Sequence, residues 1–174
     1  RYTPASALGT CRFKLKRDEE YERILQVFEA HNLRYFFYCG GNDSQDTADK
    51  ISKLAQSKGY QLRVIGVPKT IDNDINFVEK TFGFETAVQV ATQVISSAHA
   101  EAEGAENGIG IVKLMGRDSG FIAATATLAN SVVDFCLIPE SQFSLKGSSG
   151  LIESLAIKIK EKKHAVVVVA EGAG

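Results

Sequence analysis

A chain of 174 residues, 44% hydrophobic and 24% charged, is long enough to bury the core of a soluble globular domain. Its formal net charge of -1 excludes the basic surface that nucleic acid or an anionic membrane would require. No apolar run approaches the roughly 20 residues of a membrane span. We therefore expect neither a nucleic-acid partner nor a membrane partner.

The cysteines and the two ends of the sequence indicate its context. Cys11, Cys39 and Cys136 are odd in number, far apart and without metal-ligand spacing, which predicts reduced structural thiols and a cytoplasmic location. The sequence begins at Arg1 without an initiator Met and ends at Gly174, just after an apolar strand. We expect a piece of a longer protein, incomplete at both ends and poorly active or inactive alone.

Helical and extended patterns alternate along the sequence. The second predicted helix has Ser44 or Asn42 as its N-cap. Predicted helices cover residues 18–32, about 44–58, 81–103, 121–130 and a stretch ending near 163; predicted strands cover 34–39, 62–67, 109–114, 132–138 and 165–170. Strands that are apolar throughout and alternate with helices predict an α/β protein whose parallel sheet is covered on both faces.

Unusual polar groups follow four of the predicted strands. They are residues 40–44, residues 68–74, residues 115–119 and Glu171. Ligands of parallel α/β sheets bind beyond the carboxyl ends of the strands. The four loops therefore predict a single site at one rim of the sheet.

The stretch from residue 66 to residue 74 is the most informative of these loops. Lys69, Thr70, Asp72 and Asp74 bring an ammonium, a hydroxyl and two carboxylates into six positions. One acid of such a pair can accept a proton while the other holds a metal or orients its neighbour. The alternative is an ordinary turn, because Asp and Asn are common turn formers.

The other loops supply groups suited to phosphate and sugar. Two glycines at residues 40 and 41 let backbone N–H groups approach a phosphate at the start of a helix. Arg117 can clamp a phosphate or carboxylate, while Gly116 allows the backbone to approach a ligand. Glu171 can accept hydrogen bonds from sugar hydroxyls. Together with the acidic loop, these groups predict phosphoryl transfer to a hydroxyl.

Taken in order and spacing, the motifs of this sequence resemble those of the phosphofructokinase family. The resemblance runs from Gly-Thr-Cys-Arg-Phe at residues 9–13 to Val-Ala-Glu-Gly at residues 169–172. Between them lie Gly-Gly-Asn-Asp-Ser (40–44), Pro-Lys-Thr-Ile-Asp-Asn-Asp (68–74), Met-Gly-Arg-Asp-Ser-Gly (115–120) and Leu-Ile-Pro-Glu (137–140). It implies the family's three-layer parallel-sheet sandwich, with residues 1–105 forming most of the phosphodonor-binding α/β domain and residues 106–174 the start of the sugar-phosphate-binding α/β domain.

The resemblance also implies transfer of a phosphoryl group to the 1-hydroxyl of fructose 6-phosphate, in glycolysis and with Mg2+. Asp72 matches the general base, and Thr70 and Asp74 match its immediate partners, Asp74 helping to organise the magnesium and the sugar. The positions that match fructose-phosphate and sugar-hydroxyl contacts are Met115, Gly116, Arg117 and Glu171. The positions that match arginines neutralising the transferring group are Arg12 and Arg17.

The phosphodonor is expected to be pyrophosphate, with ATP as the alternative. ATP-using members usually have Gly-Gly-Asp-Gly in the glycine loop, whereas Asp43 stands here at the last of those positions. Its side chain fills the space of an ATP α-phosphate and repels its charge, and Lys69 supplies a cation to pyrophosphate. The expected donor-binding residues are Gly41, Asp43, Ser44, Lys69 and Arg17, and the expected metal contacts are Asn42 and Asp43.

Two positions depart from the family pattern. Asn42 replaces a magnesium-associated Asp, so its metal contact is expected to be weaker or to pass through a water. Gly108 stands where many members have an arginine that reaches the substrate phosphate of a neighbouring subunit. The resemblance implies a homo-oligomer. An alternative of another class is a non-catalytic regulatory subunit that binds sugar phosphates, although such a subunit would not need the base.

Overall fold

The computed structural model describes residues 9–174 and has an α/β architecture with parallel strands. In chain order its elements are α1 (Asp18–Ala30), β1 (Tyr35–Gly40), α2 (Asn42–Ser57), β2 (Arg63–Pro68), α3 (Phe84–Gly104), β3 (Ile109–Leu114), α4 (Phe121–Leu128), β4 (Phe135–Leu137), α5 (Leu151–Lys162) and β5 (Ala165–Ala170). The predicted alternation of helices with parallel strands is confirmed. The chain divides into two compact units between Lys69 and Thr70.

The first unit pairs β1 with β2 in parallel, with Tyr35 opposite Arg63. Helices α1 and α2 pack on this unit through residues that are almost fully buried, among them Leu25 and Ile51. The ring of Phe28 on α1 lies 5.0 Å from that of Phe36 on β1, centroid to centroid. Alternate side chains of β1 therefore face the helices, as the period of a strand requires.

The second unit is a three-stranded parallel sheet in the order β3-β5-β4. Strand β5 lies in the centre, and its buried run Ala165–Val168 explains why this segment is continuously apolar. Helices α3 and α4 pack on the sheet and share one core with it; the buried members of this core are Ala91, Ile95, Val112, Ala123, Ala126, Val166, Val168 and Ala170. This core carries the loops that follow β3 and β5.

The observed element bounds differ from the predicted ones by up to three residues. Helix α3 begins at Phe84 rather than at residue 81 because Gly83, its N-cap, has a left-handed φ of 87°. Strand β4 is confined to Phe135–Leu137, although Val132 and Val133 still pack against the core. The strands form a two-stranded and a three-stranded sheet, a division that their apolar pattern does not encode.

Several further features complete the described part. The three cysteines are free, with Cys11 and Cys39 exposed and Cys136 half-buried. Within residues 9–174 no helix has both the length and the apolar character that crossing a membrane would require. The boundary between the compact units falls after Lys69. The expected boundary near residue 105 separates a phosphodonor-binding region from a sugar-phosphate-binding region, and this division of ligand binding stays a prediction.

Candidate active site

Asp72 lies in the loop at the start of the second unit, and its backbone is held on both sides. Its N–H donates to Thr70 Oγ1 at 3.1 Å. Its carbonyl oxygen accepts a hydrogen bond from Ser119 Oγ, also at 3.1 Å. The carboxylate, unlike the backbone, is not fully hydrogen-bonded: Asp72 Oδ1 is buried without a hydrogen-bond partner among the described residues. A buried acceptor without a donor destabilises the folded state unless a ligand donates a hydrogen bond to it.

The electrostatic surroundings of Asp72 favour its protonated form. Burial, and after it the carboxylates of Asp74 and Glu171, raise the pKa of Asp72 above its usual value. Arg117 acts in the opposite direction, and Asp118 adds a smaller raising effect. The structure therefore brings these predicted residues of the second unit into one electrostatic cluster, with a carboxyl adapted to taking up a proton.

The side chain of Asn73, the residue after Asp72, stabilises the loop through two hydrogen bonds. Its backbone is left-handed, with φ at 58°. Its side-chain Oδ1 accepts the N–H of Thr81 at 2.8 Å, and its Nδ2 donates to the carbonyl of Glu79 at 3.3 Å. Asp74 is exposed, so its carboxylate is accessible to a ligand.

The loop that carries Arg117 runs from the end of β3 to the start of α4. Gly116 is buried with φ at 128°, and its carbonyl accepts the N–H of Gly172 at 3.1 Å. At the other end, Gly120 donates its N–H to Glu140 Oε1 at 2.8 Å. The guanidinium itself is accessible to a ligand, because the Arg117 side chain is 81% exposed and, among residues 9–174, pairs only with the exposed side chain of Asp118 at 3.3 Å.

Met115 and Glu171 flank this loop at the ends of β3 and β5. Met115 is exposed. The backbone N–H of Glu171 donates to the carbonyl of Leu114 at 2.8 Å, which continues the pairing of β3 with β5 by one residue. The side chain of Glu171 is exposed at the same end of the sheet, as the sequence predicts for loops that follow parallel strands.

The glycine loop of the first unit leads directly into α2. Gly41 is the N-cap of this helix, and its carbonyl accepts the N–H of Ser44 at 2.9 Å. The prediction that Asn42 or Ser44 caps α2 is wrong, because both residues already lie inside the helix. The exposed residue Lys69 joins the loop through its backbone N–H, which donates to the carbonyl of Gly40 at 2.8 Å.

Asp43 in the first turn of α2 has a partner that sequence reasoning missed. Both of its carboxylate oxygens accept from Lys14 Nζ, at 3.2 and 3.1 Å. The side chains are 63% exposed for Lys14 and 78% exposed for Asp43, so solvent screens much of their attraction. The two residues are 29 positions apart in the sequence, so no local spacing predicts this ion pair.

The two arginines expected at the donor phosphate lie before α1. Arg12 is exposed in the irregular segment that precedes the helix. Arg17 is the N-cap of α1 and donates from Nε and Nη2 to Glu20 Oε1, at 3.2 and 3.0 Å. The backbone N–H groups of Lys16 and Arg17, and then the Arg17 side chain, hold the pKa of Glu20 at about 2. Binding a phosphate through Arg17 would compete with this ion pair.

The oxygen donors of these loops suit a magnesium ion held mainly by its substrates. Within residues 9–174 no cluster of three or more His, Cys, Asp or Glu could form a metal cage. Mg2+ is commonly bound by one or two carboxylates together with substrate phosphate oxygens. The first unit offers the exposed Asp43 carboxylate and the exposed Asn42 amide oxygen, and the second unit by itself offers the exposed Asp74 carboxylate. Each unit therefore carries groups that fit this mode of binding.

Gly108, which precedes β3, has no room for a side chain. A Cβ at this position would meet the backbone of Ala102, with the carbonyl carbon at 2.9 Å, the Cα at 3.0 Å and the carbonyl oxygen closer still. Backbone atoms cannot rotate away as the end of a long side chain can. Local sterics at this position therefore exclude a side chain as large as that of arginine.

Polar loops at the carboxyl ends of parallel strands define a class of α/β proteins that bind ligands at that edge. The sequence model of the family described as phosphofructokinase matches residues 2–174. The chain belongs to the phosphofructokinase family.

Two relatives within the family are named as ATP-dependent enzymes. The chain is 51% identical over 152 residues to ATP-dependent 6-phosphofructokinase 4, chloroplastic, of Arabidopsis thaliana, a match that covers 87% of this chain and 29% of the relative. It is 43% identical over 173 residues to the ATP-dependent 6-phosphofructokinase of Borreliella burgdorferi, covering 96% and 38%. The chain thus spans about a third of the length of these relatives.

A solved structure supports the fold. The pyrophosphate-dependent phosphofructokinase of Marinobacter aquaeolei superposes with a TM-score of 0.79 and 39% sequence identity, covering 98% of this chain and 44% of that one. The α/β fold with parallel strands is therefore shared with a phosphofructokinase.

Proposed function

We propose that the full-length protein transfers a phosphoryl group from pyrophosphate to the 1-hydroxyl of fructose 6-phosphate, giving fructose 1,6-bisphosphate in glycolysis. The observation that carries this proposal is the buried Asp72 Oδ1, which has no hydrogen-bond partner within residues 9–174 and lies in an electrostatic cluster with Arg117. Such a carboxylate offers a proton acceptor, while the exposed arginine offers a phosphate anchor. Membership of the phosphofructokinase family supports the same assignment.

Asp72 is the general base of the proposed reaction. Its carboxylate takes the proton of the 1-hydroxyl as the new bond from oxygen to phosphorus forms and the bridging bond of the donor breaks. The leaving group is inorganic phosphate when the donor is pyrophosphate. Thr70 holds the Asp72 N–H, and Asp74 contributes a second carboxylate beside the reacting groups.

The acceptor sugar is bound by the loops that follow β3 and β5. Arg117 pairs with the 6-phosphate, and Gly116 and Met115 let the backbone pass close to it. Glu171 accepts hydrogen bonds from sugar hydroxyls. The support for these roles is the exposed guanidinium on a loop that is fixed at one end by a backbone hydrogen bond and at the other by a bond to the Glu140 side chain.

The donor is bound by groups of the first unit. The glycine loop at Gly41 and Ser44 offers backbone N–H groups at the start of a 16-residue helix, Lys69 and Arg12 add positive charge, and Arg17 can join them on leaving Glu20. Asp43 and Asn42 would hold Mg2+, with Asp74 helping to organise it, and the ion would supply positive charge to the phosphate oxygens. Because the pyrophosphate bond and the product ester are of similar energy, the reaction is expected to run in both directions.

ATP is the second candidate donor, and two observations favour it. The relatives from Arabidopsis and Borreliella carry ATP in their names. In addition, Lys14 neutralises part of the charge with which Asp43 would repel an α-phosphate. The donor choice therefore depends on whether the volume and remaining charge of Asp43 still exclude the nucleotide.

The test follows fructose 1,6-bisphosphate formation by the full-length protein with Mg2+ and either pyrophosphate or ATP. Wild type is expected to use pyrophosphate. Asp43→Gly is expected to shift the ratio of kcat/KM values toward ATP by at least about tenfold, since one like charge near 4 Å is worth a few kcal/mol before solvent screening. Asp43→Asn, which keeps the volume, separates charge from size.

Asp46→Asn is the matched control, because it removes another exposed carboxylate of α2 whose partner is Lys50. It should leave the donor ratio unchanged. Wild-type activity with ATP alone would overturn the donor assignment while keeping the phosphofructokinase activity. Absence of turnover with either donor would contradict the proposed function itself.

Assembly and location are further parts of this proposal. A homo-oligomer is expected from the family and can be checked by light scattering on the full-length protein. A cytoplasmic location is expected from the free cysteines, although the Arabidopsis relative is named chloroplastic. Cell fractionation followed by an activity assay distinguishes cytoplasm from organelle.

A further inference from the structure

Ser119 is the one buried polar residue among residues 9–174, with 3% of its surface exposed. Its Oγ donates to the carbonyl oxygen of Asp72, 47 positions earlier in the sequence. The two residues belong to different loops of the second unit, one carrying the proposed base and the other carrying Arg117. This hydrogen bond is thus a direct link between the two loops.

The loop of Ser119 is itself anchored at both ends. The carbonyl of Gly116 accepts the N–H of Gly172 after β5, and the N–H of Gly120 donates to Glu140. Arg117 lies between these fixed points, and its position along the loop is therefore set by the core of the unit. Because Ser119 lies on the same loop, its hydrogen bond also fixes the Asp72 carbonyl relative to Arg117.

The Asp72 loop depends on Ser119 for one of its few constraints near the carboxylate. The backbone N–H of Asp72 donates to Thr70, a residue of the same loop, whereas the Asp72 carbonyl accepts from Ser119 in the other loop. The side chain contributes no restraint through Oδ1, which is unpartnered among the described residues. Removing the Ser119 hydroxyl would leave the carbonyl of Asp72 without this donor and the carboxylate less precisely placed.

We propose that Ser119 is a positioning residue, which holds the loop of the general base at a fixed distance from the loop of the phosphate-binding arginine. The proposal rests on the phosphofructokinase function proposed above and adds a residue to its machinery. Ser119 acts through the backbone of Asp72, to whose carbonyl its hydroxyl donates. Its loss should therefore impair the chemical step more than the binding of the sugar phosphate.

The experiment compares Ser119→Ala, Ser119→Thr and wild type in the full-length protein, with fructose 6-phosphate and each donor. Ser119→Ala should lower kcat by about 10- to 100-fold, the scale expected when a reacting group moves by about 1 Å. The KM for fructose 6-phosphate should change by less than about threefold, because Arg117 remains anchored by Gly116 and Gly120. Ser119→Thr, which keeps the hydroxyl, should recover most of the lost kcat.

Ser154→Ala is the matched control. Ser154 is half-buried on α5, and like Ser119 it donates its Oγ to a carbonyl, that of Gly150 at 3.0 Å. It should lower the melting temperature without changing kcat. A Ser119→Ala enzyme whose kcat stays within twofold of wild type, or falls no further than that of Ser154→Ala, would overturn the proposal. A rise in KM alone would also overturn it.

Hydrogen exchange in peptides that cover residues 70–78 provides a readout that does not depend on activity. Ser119→Ala should speed exchange there, while Ser154→Ala should leave it unchanged. If wild type failed to turn over fructose 6-phosphate, faster exchange in Ser119→Ala would support the link between the loops while the proposed function fell. Unchanged exchange would overturn the positioning role whatever the activity.

Discussion

At the scale of single residues, Asp72 combines a held backbone with an unsatisfied carboxylate. The raised pKa of Asp72 means that the folded protein favours the protonated carboxyl more than the unfolded chain does. For an acid shifted in this direction, the stabilisation is complete below the unfolded pKa and is lost as the pH rises through the folded pKa. At neutral pH the charged form therefore costs stability.

Asp72→Asn should separate activity from stability in the full-length protein. Turnover should fall by about 10²- to 10⁴-fold, the usual contribution of a general base. The melting temperature at pH 7 should rise by about 1–3 °C, because an amide is placed where a partly buried charge stood. Steady-state kinetics and thermal unfolding of the same preparation measure both effects.

The matched control for this variant is Asp46→Asn, which alters an exposed carboxylate of the first unit. It should change neither turnover nor melting temperature appreciably, since exposed ion pairs contribute little. Retention of turnover within tenfold in Asp72→Asn would show that another group takes the proton. A lower melting temperature would show that the Asp72 charge is not a cost to the fold.

Single residues also show what the sequence could reveal about the site. Asp72 and Arg117 can be recognised from the sequence because they belong to polar loops that follow predicted strands, and the structure places them in one electrostatic cluster. Ser119 and Lys14 were not given roles, because their partners lie 47 and 29 positions away and such pairing depends on the folded chain. Glu20 could have been recognised as the partner of Arg17, because an acid at the third position of a helix commonly reaches back to the N-cap.

At the scale of elements, Asp134 joins three parts of the second unit. Its Oδ1 pairs with Lys162 Nζ at 2.7 Å at the end of α5, and its Oδ2 accepts the N–H of Val166 on β5 at 3.0 Å. The Asp134 side chain is only 6% exposed. Burial alone would raise the pKa of Asp134, but the bonds from Lys162 and Val166 outweigh it and hold the pKa below its usual value.

Asp134→Ala should destabilise the protein by about 2 kcal/mol, since it leaves a buried N–H and an ammonium without their acceptor. Because the folded pKa is lowered, this contribution is present above the unfolded pKa and lost as the pH falls through the folded one. Denaturant unfolding at pH 7 and at lower pH measures the difference from wild type, which should shrink on acidification.

Glu161→Ala is the control for this change, because it breaks the exposed pair with Lys158 on the same helix. It should cost no more than a few tenths of a kcal/mol. An Asp134→Ala protein as stable as Glu161→Ala would show that the buried pair contributes nothing net, as is known for some buried ion pairs.

The elements were easier to predict than their pairing. Apolar residues at alternating spacings of three and four, such as Ala91 and Ile95, predict one buried face for α3, and both residues are buried. Helix α2 was misjudged at its start because Gly41, with no side chain to cap, is the N-cap. Which strands pair is set by contacts between distant segments, and the order β3-β5-β4 cannot be read from the strands themselves.

At the scale of the whole molecule, each sheet presents apolar side chains to solvent on one face. In the first unit Tyr35 is 64% and Phe37 61% exposed, and in the second Ile109 is 48% and Ile111 68% exposed. These residues occupy alternate positions of β1 and β3, so each pair lies on one face. Apolar faces of parallel sheets are normally covered.

The isolated 174-residue chain should therefore self-associate and bind an apolar dye. Phe37→Lys together with Ile111→Lys should reduce both effects, because the charges interrupt the two faces. Leu128→Lys is the control, since Leu128 is 88% exposed but lies at the end of α4 and not on a sheet. Light scattering at increasing concentration makes the measurement. A monomer that binds no dye would contradict this expectation.

The steric closure at Gly108 limits the paths along which this protein can evolve. Because the backbone of Ala102 occupies the space beside it, even alanine requires the end of α3 to move. An arginine could be accommodated at this position only together with a second change in the helix. No single substitution at Gly108 can therefore supply a cation there, and any ligand charge must be met by other residues.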